Sequence, residues 1–287
     1  MTKEETQAYY ILNPEEGVDA APLFFDSPHS GKNYPEDFKY IVPFSELHSA
    51  EDAWIDELYD QAPAFGCRLI AAKFPRSYID TNRNENDFDP AELDGEWEGP
   101  TPNPSEKTAM GKGLVWMRIK QNIDIYEDKV TADAVKHRLE TYWQPYHEQI
   151  AKAFDGLVDK FGVAYHIDCH SMPNAGVPGD PGGTKERADF VLGDRDGTTC
   201  EAGFTQTVKE FLEGCGYSVA INDPYKGVIL VDRYSDPENG RHSLQVEINR
   251  KLYMDQISGD KIPEYEKLKE NLNGLMAHLA TYTKSKM

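Results

Sequence analysis

The chain has 287 residues, 39% of them hydrophobic and 28% charged, and its 50 acids against 30 basic residues give a formal net charge of −20. That charge disfavours nucleic acid and anionic membrane surfaces, which select basic patches, and it means that an anionic substrate needs specific arginines to overcome the general field. No apolar run is long enough to span a bilayer, the N-terminal MTKEETQAYY lacks the apolar core of a signal peptide, and Cys67, Cys169, Cys200 and Cys215 are scattered without C-x-x-C spacing, which reads as the reduced thiols of a cytoplasmic protein.

Residues 1–20 are polar and read as peripheral. APLFFDSPHSGKNYP then predicts a strand over 23–25 and a polar turn at 27–31. His29 therefore falls at the carboxyl end of a strand, where open α/β sheets bind ligands; a surface loop histidine is the plainer reading. The span 45–65 predicts a helix capped by Ser45 or Ser49. On it Asp52 borders the apolar stripe of Ile55 and Tyr59, and Asp56 lies one turn further along the same side. Such a carboxylate is either a solvated flank residue or a ligand facing inward, and the pattern alone favours the flank.

CRLIAAKFPRSYIDTNRNEND predicts a strand over 69–72, followed by Arg76, Asp80, Asn82 and Arg83. Two arginines with an amide and a carboxylate suit bidentate recognition of a carboxylate, or form an ordinary surface ion-pair cluster. Residues from about 84 to 112 are acidic and rich in Pro and Gly. They read as an irregular insertion, of the kind that borders binding sites. GLVWMR is strand-like again, and 123–161 reads as helix broken or kinked at Pro145. His137 and His147 there are surface or packing residues.

VAYHIDCHSMP, at 163–173, is the stretch around which the rest is arranged. It predicts a buried strand in which His166, Asp168 and His170 share one face and Ile167 and Cys169 the other. Two histidines and a carboxylate on one face suit a metal site in which Asp168 orients a ring. A buried strand with hydrogen-bonded histidines accounts for them equally, and Cys169 is a small core residue rather than a nucleophile. A Gly/Pro-rich loop at 172–187 follows as a candidate lid. Beyond it come a strand at ADFVLGD, an amphipathic helix over 198–214, a strand at YSVAI, and HSLQVEINRKLYMD, where Leu244, Val246 and Ile248 alternate with Gln245, Glu247 and Asn249. Glutamate in mid-strand is poorly placed for β structure and costly to bury unpaired. Glu247 is thus a partner of an arginine such as Arg250, or a general base. A helix over 263–283 closes the chain. Strands alternate with helices without an internal repeat, so residues 1–287 read as a single α/β domain with a mixed or mostly parallel sheet flanked by helices. No G-x-G-x-x-G, P-loop or G-x-S-x-G pattern is present.

Taken together, PHSG at 28–31, ED..ID at 51–56, FPR..IDTNR at 74–83, IDCHSMP at 167–173, ADFVLGDRDG at 188–197, NDPYKG at 222–227 and HSLQVEINRKLYM at 242–254 resemble the N-formylglutamate amidohydrolase family. The ordered set spans nearly the whole chain. That family is distantly similar to zinc carboxypeptidases and to the aspartoacylase and succinylglutamate desuccinylase group. The resemblance implies a zinc-carboxypeptidase-like (phosphorylase/hydrolase-like) fold, with zinc or another divalent metal held by two histidines and a carboxylate. Asp168-Cys169-His170 is similar to the D-x-H ligand motif of those enzymes, and Asp80-Thr81-Asn82-Arg83 to their D-x-N-R substrate-carboxylate motif. It thereby implies His29 and His170 as ligands, Glu247 as catalytic base, Arg83 with Asn82 as substrate contacts, and Asp168 behind a ligand; Arg76 is a second candidate contact, since a dianionic substrate needs two cations in a protein of this charge. One motif departs: the relatives place a histidine and a carboxylate in H-x-x-E, whereas His29 is followed by Lys32. The third ligand must come from elsewhere. Asp52 is the first choice, with Asp56 and Glu51 as alternatives. The implied activity is hydrolysis of N-formyl-L-glutamate to formate and L-glutamate, as in histidine degradation. The implied partner is a small anionic N-acyl amino acid, with no nucleic acid or membrane, and the oligomeric state stays open. Rival readings are hydrolysis of another N-acyl amino acid with the same metal site, and a non-catalytic metal-stabilised binding protein.

Overall fold

The computed structural model describes residues 2–120, 123–176 and 182–287. The main sheet begins with β1 (Lys3–Glu5), β2 (Tyr9–Leu12), β3 (Leu23–Ser27) and β4 (Arg68–Ala72). Two short ribbons stand apart from it, β5 (Leu93–Asp94) with β8 (Val130–Thr131) and β6 (Arg118–Lys120) with β7 (Ile123–Asp124). The main sheet is completed by β9 (Ala164–Met172), β10 (Phe190–Gly193), β11 (Val219–Ile221) and β12 (Arg241–Asn249). Its order is β1-β2-β4-β3-β9-β12-β10-β11. The central four, β4, β3, β9 and β12, run parallel, while β2 and β10 run antiparallel to them, so the sheet is mixed.

β3 and β9 are buried along their whole length. Only a strand covered on both faces can be so, and both faces are indeed covered. Phe25, Ile167, Leu244, Val246 and Ile248 pack beneath α2 (Ile55–Leu58), α6 (Ala202–Gly214) and α8 (Tyr265–Lys284). On the other face Phe24, Ile70 and Ala164 meet α4 (Ala132–Arg138) and α5 (Gln144–Phe161). The result is one α/β domain of three layers. No helix among the described residues is long and apolar enough to cross a membrane.

Three expectations are corrected. Residues 45–65 do not form one helix: α1 (Phe44–His48) and α2 are separated by residues 49–54, and Trp54 has φ 68°. Asp52 lies in that break, where its N–H donates to His29 O at 3.0 Å, so it is not a helix-flank residue, and neither serine caps α1 by its side chain. The N-terminus is not peripheral, since β2 enters the sheet beside β4 and buries Tyr9, Ile11 and Leu12. Residues 123–161 are not helical throughout, since β7 and β8 occupy 123–124 and 130–131 and the helix starts at Ala132; before Pro145 it widens into a π turn, Leu139–Trp143, the distortion expected there. Proline has no N–H for the ladder, and the wider turn absorbs the missing bond. The region 84–112 is largely irregular and is tied down by Asp87, whose carboxylate accepts from the Ser105 N–H at 2.8 Å and hydroxyl at 2.9 Å. Of the Gly/Pro-rich loop expected at 172–187, Met172 belongs to β9, and 177–181 lie outside the described residues.

Candidate active site

β3 and β9 are adjacent and parallel, so their carboxyl ends open on the same edge of the sheet. The PHSG turn leaves β3 there. A Cβ on Gly31 would lie 2.3 Å from Phe74 O, so only glycine lets this turn close against the chain after β4. Ser30 Oγ donates to Asp52 O at 2.9 Å, joining the turn to the break between α1 and α2. Three donor atoms meet as a result. His29 Nδ1 is 3.1 Å from His170 Nδ1 and 3.3 Å from Asp52 Oδ2, and His170 Nδ1 is 3.0 Å from the same oxygen. All three side chains are buried. Asp56 instead accepts from Tyr10 Oη at 2.9 Å, and Glu51 pairs with His48 Nδ1 at 2.8 Å.

The three atoms fit a cation. A tetrahedral zinc with bonds of about 2.0–2.2 Å keeps its donors about 3.3 Å apart, close to the observed separations. The outer ring nitrogens agree. His29 Nε2 is 2.8 Å from Asp80 Oδ1, and His170 Nε2 is 2.8 Å from Asp168 Oδ1. Neither oxygen of Asp168 has an aligned hydrogen bond among the described residues. A proton on the facing Nε2 would satisfy this carboxylate and leave the Nδ1 lone pair for a cation. Burial opposes a charge on His170, but Asp168 and Asp52 outweigh it and hold its ring well above the usual value, a demand for positive charge that a divalent ion would meet.

The supporting charges are fixed in turn. Arg76 Nη2 and Trp116 Nε1 donate to Asp80 Oδ2 at 2.9 and 3.2 Å. Burial opposes the charge on Asp80, but Arg76, His29 and Arg83 outweigh it and hold the carboxyl well below the usual range. Arg250 Nη2 and Ser171 Oγ donate to Asp52 Oδ1 at 3.1 and 3.0 Å. Burial again opposes the charge on Asp52, and the bonds from His170 and His29 with the Arg76 charge prevail.

Glu247 stands across from His170 in the β9–β12 ladder, on the side away from Leu244, Val246 and Ile248. Its contact is Gln245, whose Nε2 donates to Oε1 at 2.9 Å; Arg250 is taken up by Asp52 and backbone carbonyls. Burial pushes the Glu247 carboxyl up to about 7, with Asp52 adding to the rise and His170 opposing it. Glu247, Asp52 and His170 line a cavity of about 970 Å³ together with Arg76, Asn82 and Arg83. Arg83 donates from Nε to Lys112 O at 3.1 Å and from Nη1 to Asn82 O at 2.8 Å, which fixes its plane. The Arg76 fork is held by Asp80, while its Nη1 lies 4.0 Å from Asp52 Oδ2. Asn82 Oδ1 accepts from Leu230 N at 3.1 Å, turning its Nδ2 toward His170 Nε2, also at 3.1 Å.

Four participants were not singled out for these roles in the sequence. Asp80 figures there only within the recognition motif, and Gln245, Ser171 and Arg250 have no role beside the three convergent donors. For three of them the signal is nearness in the chain: Ser171 follows His170, and Gln245 and Arg250 stand two before and three after Glu247. His166 belongs to the interior, with Asp26 Oδ1 and Ser243 Oγ each 2.8 Å from its ring nitrogens. His147 holds Thr81 O at 2.8 Å from α5.

The chain matches the N-formylglutamate amidohydrolase family over residues 21–254. It is similar to N-formylglutamate amidohydrolase from Ralstonia eutropha, whose crystal structure superposes with a TM-score of 0.91 at 41% identity, covering 98% of this chain and 100% of that one. N-formylglutamate deformylase of Pseudomonas putida is 28% identical over 82% of either chain. The deformylase of Pseudomonas aeruginosa is 28% identical over 82% of this chain and 83% of its own.

Proposed function

Since the chain belongs to the N-formylglutamate amidohydrolase family, we propose that it hydrolyses N-formyl-L-glutamate to formate and L-glutamate, serving histidine degradation in the cytoplasm. His29, Asp52 and His170 would hold zinc, or another divalent ion. The observation that carries this reading is that Glu247, its carboxyl pushed up to about 7, lines the same cavity as Asp52 and His170 of the three convergent donors.

A bound zinc supplies a Lewis acid that polarises the formyl carbonyl and makes water more acidic. The chain's own groups do the rest. Glu247 takes a proton from the attacking water as its oxygen adds to the formyl carbon, and returns it to the amide nitrogen as the C–N bond breaks. Gln245 keeps the carboxylate turned into the cavity. Arg76, beside Asp52, places positive charge where the carbonyl oxygen gains negative charge. Arg83 offers its planar edge to a substrate carboxylate, with Asn82 beside it. The cavity reverses the sign of the molecule: five arginines and three lysines line it against five acids.

The test is formate release by metal-loaded and chelator-stripped protein, with N-formyl-L-glutamate, N-formyl-L-aspartate and N-acetyl-L-glutamate compared. Metal-dependent formate release, fastest from N-formyl-L-glutamate, is expected. Bound metal without formate release would make it a binding protein, and a preference for another acyl amino acid would replace the substrate.

A further inference from the structure

A dianionic substrate needs cations at both ends, and Arg83 stands at one side only. It follows β4, while the sheet continues past Glu247 on β12 to β10. We propose that Arg195, just beyond β10, holds the side-chain carboxylate of the substrate, and so selects N-formyl amino acids with an acidic side chain over neutral ones. The proposal rests on the amidohydrolase reading above and adds to it the residue that fixes the second anionic group.

Arg195 lines the same cavity as Asp52, His170 and Glu247. In the β10–β12 ladder Val191 is opposite Glu247 and Gly193 opposite Gln245. β10 runs antiparallel to β12, so the chain beyond Gly193 continues past the level of Gln245, and Arg195 reaches the cavity from the β10 side of the sheet, whereas Arg83 follows β4 on the other side. A substrate whose scissile amide lies over β9 and β12 then has an arginine on either side.

The local chain is built to hold this guanidinium. Arg195 Nε is 2.9 Å from Asp232 Oδ1, and Nη1 donates to Gly227 O at 3.2 Å. Nη2 has no partner among the described residues, so its hydrogens stay available to a substrate oxygen. Two glycines bring the carbonyl of Gly227 within reach. A Cβ on Gly193 would lie 2.7 Å from Gly227 N, and one on Gly227 would lie 2.5 Å from Val231 Cγ2. Arg195 and Asp196 both adopt left-handed backbone, φ 50° and 60°, a costly conformation for residues with side chains. Such conformations persist where surrounding structure enforces them, and they gather at ligand sites. Other cavity arginines are engaged: Arg76 on Asp80, Arg250 on Asp52, and Arg233 on Asn84 and Glu85. Arg195 is also 38% exposed in its side chain, which suits the substrate end farthest from the scissile bond.

The experiment compares kcat/KM for N-formyl-L-glutamate and N-formyl-L-glutamine in the zinc-loaded protein and in Arg195→Gln. The selectivity ratio should fall by about 100-fold, mainly through KM, because a lost charged hydrogen-bond partner is poorly replaced. An unchanged ratio overturns the proposal. Arg195→Lys keeps the charge but loses the fork, and should fall between the two. Thermal unfolding of both variants checks that they fold. Isothermal titration with glutarate repeats the test without turnover and should show about 30-fold weaker binding in Arg195→Gln. If the unaltered protein releases no formate, the amidohydrolase reading fails, and the glutarate titration still decides: equal affinity in both proteins rejects Arg195.

Discussion

Glu247 is protonated up to about pH 7 because burial and Asp52 make its carboxylate costly, and this bears on how its role shows in kinetics. Glu247→Gln keeps the size and the contact with Gln245 but cannot accept a proton. Turnover should fall by about 10²–10⁴-fold, the usual contribution of a general acid–base group, while metal content and unfolding temperature stay near those of the parent. Near-parental turnover in a folded, metal-loaded variant removes the catalytic role. A structural Glu247–Arg250 pair would predict lost stability first, yet Arg250 is engaged by Asp52, Ser49 and Glu51. The pH dependence has a definite sign. A base works only when ionised, so kcat/KM should decline as pH falls through its pKa. A divalent ion beside Glu247 favours the carboxylate, so the acid limb of the metal-loaded enzyme should lie below 7. A limb above 7 in the pH profile contradicts this.

At the level of elements, the site depends on loops that depart from regular structure where His29 and Asp52 are brought to His170. The PHSG turn closes because Gly31 lets Phe74 O approach. Gly31→Ala forces the turn or the segment after β4 to move. It should cost about 1–3 kcal/mol of stability, as overpacking does, and weaken metal binding, since His29 lies two residues away. Thermal unfolding and a zinc titration measure both, and parental values in both would show the turn to be plastic. The same elements show what the sequence disclosed. β9 and β12 were legible because burial imposes a period of two, and the alternation about Glu247 placed it off the apolar face. His29 was legible as a strand-end residue. Asp52 was legible only through the resemblance, because apolar spacing over 45–65 reads as one helix. That reading fails because Asp52 N–H bonds to His29 O and Trp54 takes up a left-handed φ, contacts made with a distant segment. β1 and β2 were missed for a related reason: strands of three and four residues leave too little pattern, and β2 owes its place to pairing with β4. The partners of the Asp52 carboxylate are further still from sequence, since Arg250 reaches it across 198 positions.

For the whole molecule, the governing fact is a net charge of −20 around a cavity richer in cations than in acids. The two fields act on a dianion over different distances. Repulsion from the surface is summed over many separated charges and extends into solvent. Attraction by the cavity arginines acts at hydrogen-bond range in a partly desolvated site. Salt screens the first more than the second, with a Debye length of about 30 Å at 0.01 M and 8 Å at 0.15 M. Raising ionic strength over that interval should therefore lower KM for N-formyl-L-glutamate, by about 2- to 5-fold, and raise kcat/KM with it. A neutral substrate such as N-formyl-L-glutamine should show much less change. At molar salt the contacts with the arginines weaken too, and KM should rise again. Steady-state kinetics at constant pH across this series test the account. If KM instead rises steadily from the lowest salt, the cavity cations govern the approach as well as the binding of the substrate, and the surface charge has no part in selecting it.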